Sequence, residues 1–330
     1  MKTILVVKTS SLGDVVHQMP AMTDARRRYP DARITWVVEE AFAPLVRLHP
    51  GVDEVIEVAT RRWRSQLLEL TAWKEARESL CNLRARNYDL IVDTQGTIRS
   101  AVISRLARGL RHGYDPRSIR EPLASRFYDV CHCISRDQHP IARTRQLTAA
   151  ALGYEVDGEI DYGLNRNNLR MESEKPYGIL LHATADIRKE WPEQDWIAFG
   201  QALASQGHVV ALPWGTQVER ERSERIAAAV PHAFVPERKP LNATARLIAA
   251  ADFVIGVDTG LLHLAAALGV PRVGMLGAIK PMPAAPLGKG PMVTAGSKGA
   301  PPSVTEVLAA FESMRSQIPP IDGFVASSTL

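Results

Sequence analysis

The chain has 330 residues, 45% hydrophobic and 23% charged, the balance of a globular protein able to bury a sizeable core rather than of a disordered or fibrous one. That length exceeds what one core usually spans, so two domains of roughly 150 residues are expected. The net charge of +4 is uneven: residues 1–150 carry 24 Lys+Arg against 17 Asp+Glu and residues 151–330 carry 16 against 19, which fits the front half to an anionic partner such as nucleic acid, a membrane surface or a phosphorylated substrate.

Thr3-Ile4-Leu5-Val6-Val7 reads as a first strand rather than a signal peptide, because no small-residue cleavage site precedes the polar Lys8-Thr9-Ser10-Ser11. A helix near Ala21–Arg28 follows, then a strand at Ile34–Val38, a helix at Ala41–Leu48 and a strand at Val55–Val58. A charged amphipathic helix from about Gln66 to Arg86 leads into the buried-strand run Tyr88–Asp93. Short β-branched runs alternating with longer helical patterns predict a parallel, doubly wound α/β unit over residues 1–155. Acidic and Asn-rich sequence then breaks the pattern, and residues 156–175 are expected to be a linker.

A second alternation occupies residues 176–302: strand Tyr177–His182, helix Pro192–Gln206, strand His208–Pro213, helix Gln217–Ala229, a short strand near Phe234, helix Ala243–Ala250, strand Asp252–Val257, helix Leu261–Leu268 and strand Val273–Leu276. Gly277–Pro302, rich in Gly, Pro and Ala, reads as a loop, and residues 303–330 as a C-terminal helix and tail. Two such Rossmann-like units in tandem predict a cleft between their C-terminal strand edges, where open α/β sheets bind ligands, and the site is expected between the domains.

Cys81, Cys131 and Cys133 are odd in number and lack a CxxC pair, so neither a disulfide framework nor a structural metal is expected, and a reducing compartment fits. No apolar run approaches the ~18 residues that span a bilayer, so any membrane contact would be peripheral to a cytoplasmic protein. There is no GxGxxG after the first strand, no GxxxxGK[ST] and no Asp-x-Asp triplet, which argues against a dinucleotide dehydrogenase, a P-loop nucleotidase and a carboxylate-held Mg²⁺. A nucleic-acid module is disfavoured because the basic half has no aromatic-rich basic patch.

Four segments at strand ends carry chemistry. Gly13 and Asp14 lie just beyond the first strand, where Asp14 is either a general base or a helix cap. Asp258-Thr259-Gly260 opens a helix whose N-terminal amides could receive a diphosphate, with His263 one turn in; capping and burial are the plainer roles. Lys189, after the strand ending at His182-Ala183-Thr184, could neutralise a departing diphosphate or simply be solvated. Glu219, beyond Leu212-Pro213-Trp214-Gly215, could accept two ribose hydroxyls or serve the helix dipole.

Taken together, VVKTSSLGDVVHQMPA, LLHAT, LPWG and VDTGLLHLAAALG resemble the heptosyltransferase family in order and spacing over most of the chain. WVVEEAFA, the RRWR of residues 61–64, VDTQG and REPLASRFY of residues 120–128 resemble the branch acting at the first Kdo. The resemblance implies a GT-B fold of two Rossmann-like domains and inverting transfer of L-glycero-D-manno-heptose from ADP-heptose to the first Kdo of Kdo2-lipid A at the cytoplasmic face of the inner membrane, without an obligatory metal. It implies Asp14 as base, Lys189 and the amides at Thr259-Gly260 as holders of the diphosphate, Asp258 as partner of heptose hydroxyls, Glu219 on the ribose, and Thr184 and His263 in the donor pocket. Ser10, Gly13, Arg61, Arg62, Arg64 and Arg120 fall to the anionic acceptor, with salt bridges inside the domain as the alternative for each arginine. A related enzyme acting at the second heptose position, or an epimerase or hydrolase on the same fold, are the competing activities. The sequence departs from the family at Ala185, where a second Thr is usual, and at Gly277-Ala278-Ile279-Lys280-Pro281, where a Gly-Pro-Thr-like turn is common.

Overall fold

The computed structural model describes residues 2–66, 68–170, 175–184, 186–275, 285–297 and 300–318. The chain divides into two compact units: Met1–Glu172 with Lys239–Ala250 and Pro283–Gly288, and Ser173–Arg238 with Ala251–Met282 and Lys289–Leu330.

In the first unit the order is β1 (Thr3–Val7), α1 (Leu12–Arg28), β2 (Arg33–Glu39), α2 (Ala43–Val46), β3 (Glu54–Val58), α3 (Thr60–Ser65), α4 (Leu70–Arg84), β4 (Asn87–Asp93), α5 (Ile98–Leu106), β5 (Arg108–Tyr114), a 3₁₀ turn (Pro122–Phe127), β6 (Val130–His132), α6 (Pro140–Leu152) and α7 (Arg166–Leu169). The strands form one parallel sheet in the order β3-β2-β1-β4-β5-β6, so the direction of winding reverses between β1 and β4. Such a reversal opens a crevice beyond the carboxyl ends of the two strands.

Helix α1 begins well before the expected Ala21 and runs through Pro20. An internal proline costs about 3 kcal/mol. Burial of Val15, Val16, Met19 and Met22, each 0% exposed, outweighs it at roughly 1.5–3 kcal/mol per side chain. The helix therefore starts at Leu12, immediately behind the sheet edge, and brings Asp14 with it.

The expected linker at 156–175 is largely part of the first unit. Arg145 on α6 grips Asp24 through Nε at 2.7 Å and donates to the carbonyl of Asp157 at 2.9 Å, while Tyr162 donates to the carbonyl of Leu287. Arg145 and Asp24 are both buried, and deleting one partner of such a pair costs about 3–5 kcal/mol. Polar composition suggested a free connector because the buried arginine that receives it lies on another element.

The second unit contains β7 (Gly178–Leu181), a 3₁₀ turn (Ile187–Lys189), α8 (Glu193–Ser205), β8 (Val210–Ala211), α9 (Gln217–Ala229), β9 (Phe253–Gly256), α11 (Gly260–Ala267), β10 (Arg272–Met275), β11 (Met292–Ala295) and α12 (Val304–Ser316). The intervening α10 (Leu241–Ala250) belongs to the first unit, against α2 and α7, although its sequence position predicted otherwise. The five strands are parallel in the order β11-β10-β9-β7-β8, with the reversal between β7 and β9. Strand β11 lies within the stretch read as a loop; four residues flanked by Gly and Pro carry no local strand signal, and pairing with β10 supplies it. The expected strand near Phe234 is a single bridge to Ala211. The expected C-terminal helix is α12, which packs on β10, β11 and α8 and buries Val307, Phe311 and Met314; the tail expected after it lies outside the described residues.

Candidate active site

At the β1/β4 reversal of the first unit, Asp14 occupies the first turn of α1. Its Oδ2 accepts the Ser11 amide at 2.9 Å and the Ser11 hydroxyl at 3.3 Å, so the capping role is real. Its Oδ1 lies 3.9 Å from the ammonium of Lys8, leaving this oxygen outside hydrogen-bond range of the cation. Burial opposes ionisation of Asp14, yet Lys8 and the Ser11 amide outweigh it and hold the carboxyl below its usual range. The cap thus uses one oxygen of the carboxylate, Oδ2, and leaves Oδ1 without a hydrogen bond to the lysine beside it.

Lys8 was not singled out in the sequence. It is buried at the end of β1, donates to the carbonyl of Thr94 at 3.1 Å, and has its pKa lowered by burial against the opposing pull of Asp14 and Asp93. Arg143 and Arg120 lower it further. Asp93, at the end of β4, is fully buried; burial raises its pKa while Tyr128 donates to it at 2.8 Å and the amides of Gln95 and Gly96 at 2.9 and 3.2 Å. The amide of Gly96 turns toward that carboxylate because the residue has φ +69, a conformation that disfavours any side chain. The position of Lys8 at a strand end was a usable signal; that of Arg143, on α6, was not.

Ser10 and Gly13 flank Asp14 on the same loop, and the Ser10 amide donates to Gln95 Oε1 at 3.2 Å. Arg120 is exposed beyond β5 and acts electrostatically on Lys8, so the structure brings it to the same end of the sheet. Arg61 and Arg64 on α3 are exposed. Arg62 is different: its fork takes both oxygens of Glu40, at 2.9 and 2.8 Å, and Glu75 at 2.7 Å. These hydrogen bonds raise its pKa and commit the guanidinium within the unit, the salt-bridge alternative expected for each of these arginines.

At the β7/β9 reversal of the second unit, Thr184 donates to the carbonyl of Asp258 at 3.0 Å and ties the two strand ends together. Asp258 Oδ2 accepts from Lys189 Nζ at 2.7 Å, and Oδ1 lies 3.7 Å from His263 Nε2. Burial raises the Asp258 pKa, but His263 and Lys189 overcome it and bring the value to about 2. Thr259 is the N-cap of α11 and Gly260 its first residue, so the first amides of the helix open beside this carboxylate. The turn carrying Lys189 is braced below by Arg222, which binds Glu190 at 2.5 Å and the carbonyl of Trp191 at 2.6 Å.

Glu219 completes a capping box on α9, its Oε2 accepting the amides of Gly215 at 2.7 Å and Thr216 at 3.2 Å. One oxygen is therefore committed to the turn, and two-point ribose recognition by this carboxylate would have to share it. Trp214 donates to the carbonyl of Pro236 at 2.9 Å and stacks under Arg220. Ala185 and Gly277–Pro281 lie outside the described residues. Among the described residues, no group of three His, Cys, Asp or Glu side chains is arranged to hold a metal ion, and no helix is long and apolar enough to cross a membrane.

The description of glycosyltransferase family 9 (heptosyltransferase) matches residues 77–307. The chain belongs to this family. It is a glycosyltransferase of the GT-B type, with two Rossmann-like domains. Lipopolysaccharide heptosyltransferase 1 of Pseudomonas aeruginosa is 44% identical over 281 residues, covering 84% of this chain and 79% of that protein. The solved E. coli heptosyltransferase WaaC with ADP superposes with a TM-score of 0.87 at 37% identity, over 94% of this chain and 99% of that one. The same E. coli enzyme with ADP-2-deoxy-2-fluoro heptose gives 0.83 at 37% identity, over 95% and 99%.

Proposed function

We propose that the chain transfers L-glycero-D-manno-heptose from ADP-heptose to the first Kdo of Kdo2-lipid A, with inversion at the anomeric carbon, during assembly of the lipopolysaccharide inner core. The carrying observation is Asp14, a carboxylate held ionised at a sheet reversal with one oxygen committed to its helix and the other outside hydrogen-bond range of Lys8. Such a group removes a proton from an attacking hydroxyl as the new C–O bond forms. The bond from the anomeric carbon to the diphosphate breaks on the opposite face, and its electron pair leaves with ADP.

Lys189 and the opening amides of α11 would neutralise that charge, with Asp258 holding Lys189 in place and offering its carboxylate to sugar hydroxyls. A protein cation and helix dipole in this role make a divalent metal dispensable. His263 and Thr184 belong to the donor pocket through their contacts to Asp258. Glu219 would reach the ribose with Oε1. Arg61, Arg64 and Arg120, with Ser10 and Gly13, would serve the carboxylates and phosphates of the acceptor, which accounts for the basic front half. The donor analogue bound by the solved relative and the similarity to a lipopolysaccharide heptosyltransferase 1 support this reading, and a lipid-linked acceptor would place the enzyme at the periphery of the cytoplasmic face of the inner membrane.

The test is product mass and linkage after incubation with ADP-heptose and Kdo2-lipid A in the presence of a chelator. One added heptose with inverted configuration is expected. Transfer only to an acceptor already bearing one heptose would place the enzyme at the second position. Donor consumption without acceptor would make it a hydrolase or epimerase.

A further inference from the structure

The first unit carries a surface that the reaction does not explain. Among the described large apolar side chains, Leu68 is 100% exposed, Leu70 86% and Trp73 61%, the first between α3 and α4 and the other two in the first turn of α4. Exposed apolar residues of the second unit, such as Ile187 and Val218, are scattered singly, which is ordinary for a soluble surface. Helix α3 buries no side chain, and of α4 only Ala72 and Leu83 are buried, so these helices stand on the unit rather than within it.

Charged residues flank these apolar side chains in the sequence. Glu75 is taken up by Arg62 and by the indole N–H of Trp63 at 3.1 Å. Arg61, Arg64, Lys74 and Arg77 are exposed there against Glu69 and Glu78, leaving a net positive rim. A Trp and two Leu, exposed and flanked in sequence by exposed cationic side chains on α3 and α4, match the requirements of a bilayer interface: the apolar groups enter the headgroup region while the cations stay with lipid phosphates. Helix α3 leaves the C-terminal end of β3, the sheet edge from which Asp14 and Arg120 also emerge. Ile98 and Leu123, 41% and 56% exposed beyond β4 and β5, extend apolar surface along that edge.

We infer that the α3–α4 segment, through Leu68, Leu70 and Trp73 with Arg61, Arg64 and Lys74, is the element by which the enzyme docks on an anionic lipid bilayer. The inference rests on the proposed lipid-linked acceptor for its purpose, and it adds the place of contact. Docking by this edge presents the base-bearing end of the sheet to the membrane, so the sugar of a lipid-anchored acceptor reaches Asp14 without leaving the bilayer.

The experiment uses the full chain with vesicles of phosphatidylethanolamine containing phosphatidylglycerol, and with vesicles of phosphatidylcholine alone, measured by co-sedimentation. Wild-type protein should bind the anionic vesicles, more weakly as salt rises, and bind the neutral ones less. The triple variant Leu68→Ser, Leu70→Ser, Trp73→Ser should lose binding by about tenfold or more, since three interfacial apolar contacts are removed. Because all three side chains are exposed, its circular dichroism and its rate on a deacylated, soluble Kdo acceptor should match wild type. Equal vesicle binding by the variant and wild type, or no binding by wild type at low salt, overturns the inference. So does a wild-type dimer that the variant converts to monomer while vesicle binding is unchanged, which would make this face a contact between copies. Failure of wild-type transfer to the soluble Kdo acceptor would instead strike the proposed function and leave the vesicle result to stand by itself.

Discussion

The two sheet reversals occupy equivalent places in their folds and carry the same pair of charges, a lysine and an aspartate, in opposite order. At β1/β4 the lysine is the inner partner: the Lys8 side chain is 7% exposed and Asp14 33%. At β7/β9 the aspartate is the inner partner: Asp258 is 21% exposed and Lys189 36%. The spacing differs as well, 3.9 Å in the first and 2.7 Å in the second. A loosely paired outward carboxylate suits proton removal, and a tightly anchored outward ammonium suits a leaving diphosphate. On the proposed function, one topological position would serve either half of a group-transfer reaction, depending on which charge is buried.

The sharpest way to break this contrast is to neutralise each outward group. Asp14→Asn should lower kcat by roughly 10²–10⁴-fold while ADP affinity stays within about twofold. Because the amide oxygen of Asn can still accept from Ser11, thermal stability should hold, whereas Asp14→Ala should also cost about 1 kcal/mol of helix capping. Equal stability of the two variants would show that the cap contributes nothing. Lys189→Ala should reduce kcat/KM by roughly 10²–10³-fold and weaken ADP binding as well, a combination absent from the Asp14 variants. Unchanged ADP affinity, read by calorimetry, would remove Lys189 from the diphosphate.

Lys8→Met tests the inner partner. The buried ammonium holds the Asp14 pKa down, so ionised Asp14 persists to lower pH in the wild type. Without Lys8 the Asp14 pKa rises and the acidic limb of the kcat profile moves to higher pH. A profile that only drops in height, with no lateral shift, would mean Lys8 is structural. A smaller effect is expected from Arg61→Gln with Arg64→Gln: a several-fold rise in acceptor KM at unchanged donor KM, while Arg62→Gln, whose partners are Glu40 and Glu75, should leave acceptor KM nearly alone.

Much of this was legible from residue order alone. The alternation of strands and helices predicted both Rossmann-like units, and local pattern put Asp14, Lys189, Asp258 and Gly260 beyond strand ends, where the structure has them, while the role expected of Thr184 came from the resemblance to the family. Lys8 and Arg143 were missed for different reasons. The place of Lys8 at a strand end was visible but its burial was not, and Arg143 reaches its partners only through the packing of α6. Arg62 looked like its neighbours in RRWR; only the helix geometry aims it at Glu40 and Glu75 while Arg61 and Arg64 face outward. The role of residues 157–162 was hidden similarly, since Arg145, which holds Asp157, sits on α6.

The most direct measurement is the mass and anomeric configuration of the product formed from ADP-heptose and Kdo2-lipid A by wild type, Asp14→Asn and Lys189→Ala side by side. Addition of one heptose with inversion by the wild type, near abolition in both variants and retained ADP binding in Asp14→Asn alone is the expected pattern. Wild-type turnover by Asp14→Asn would contradict the assignment of the proton-removing group to the β1/β4 reversal, and with it the division of labour between the two units.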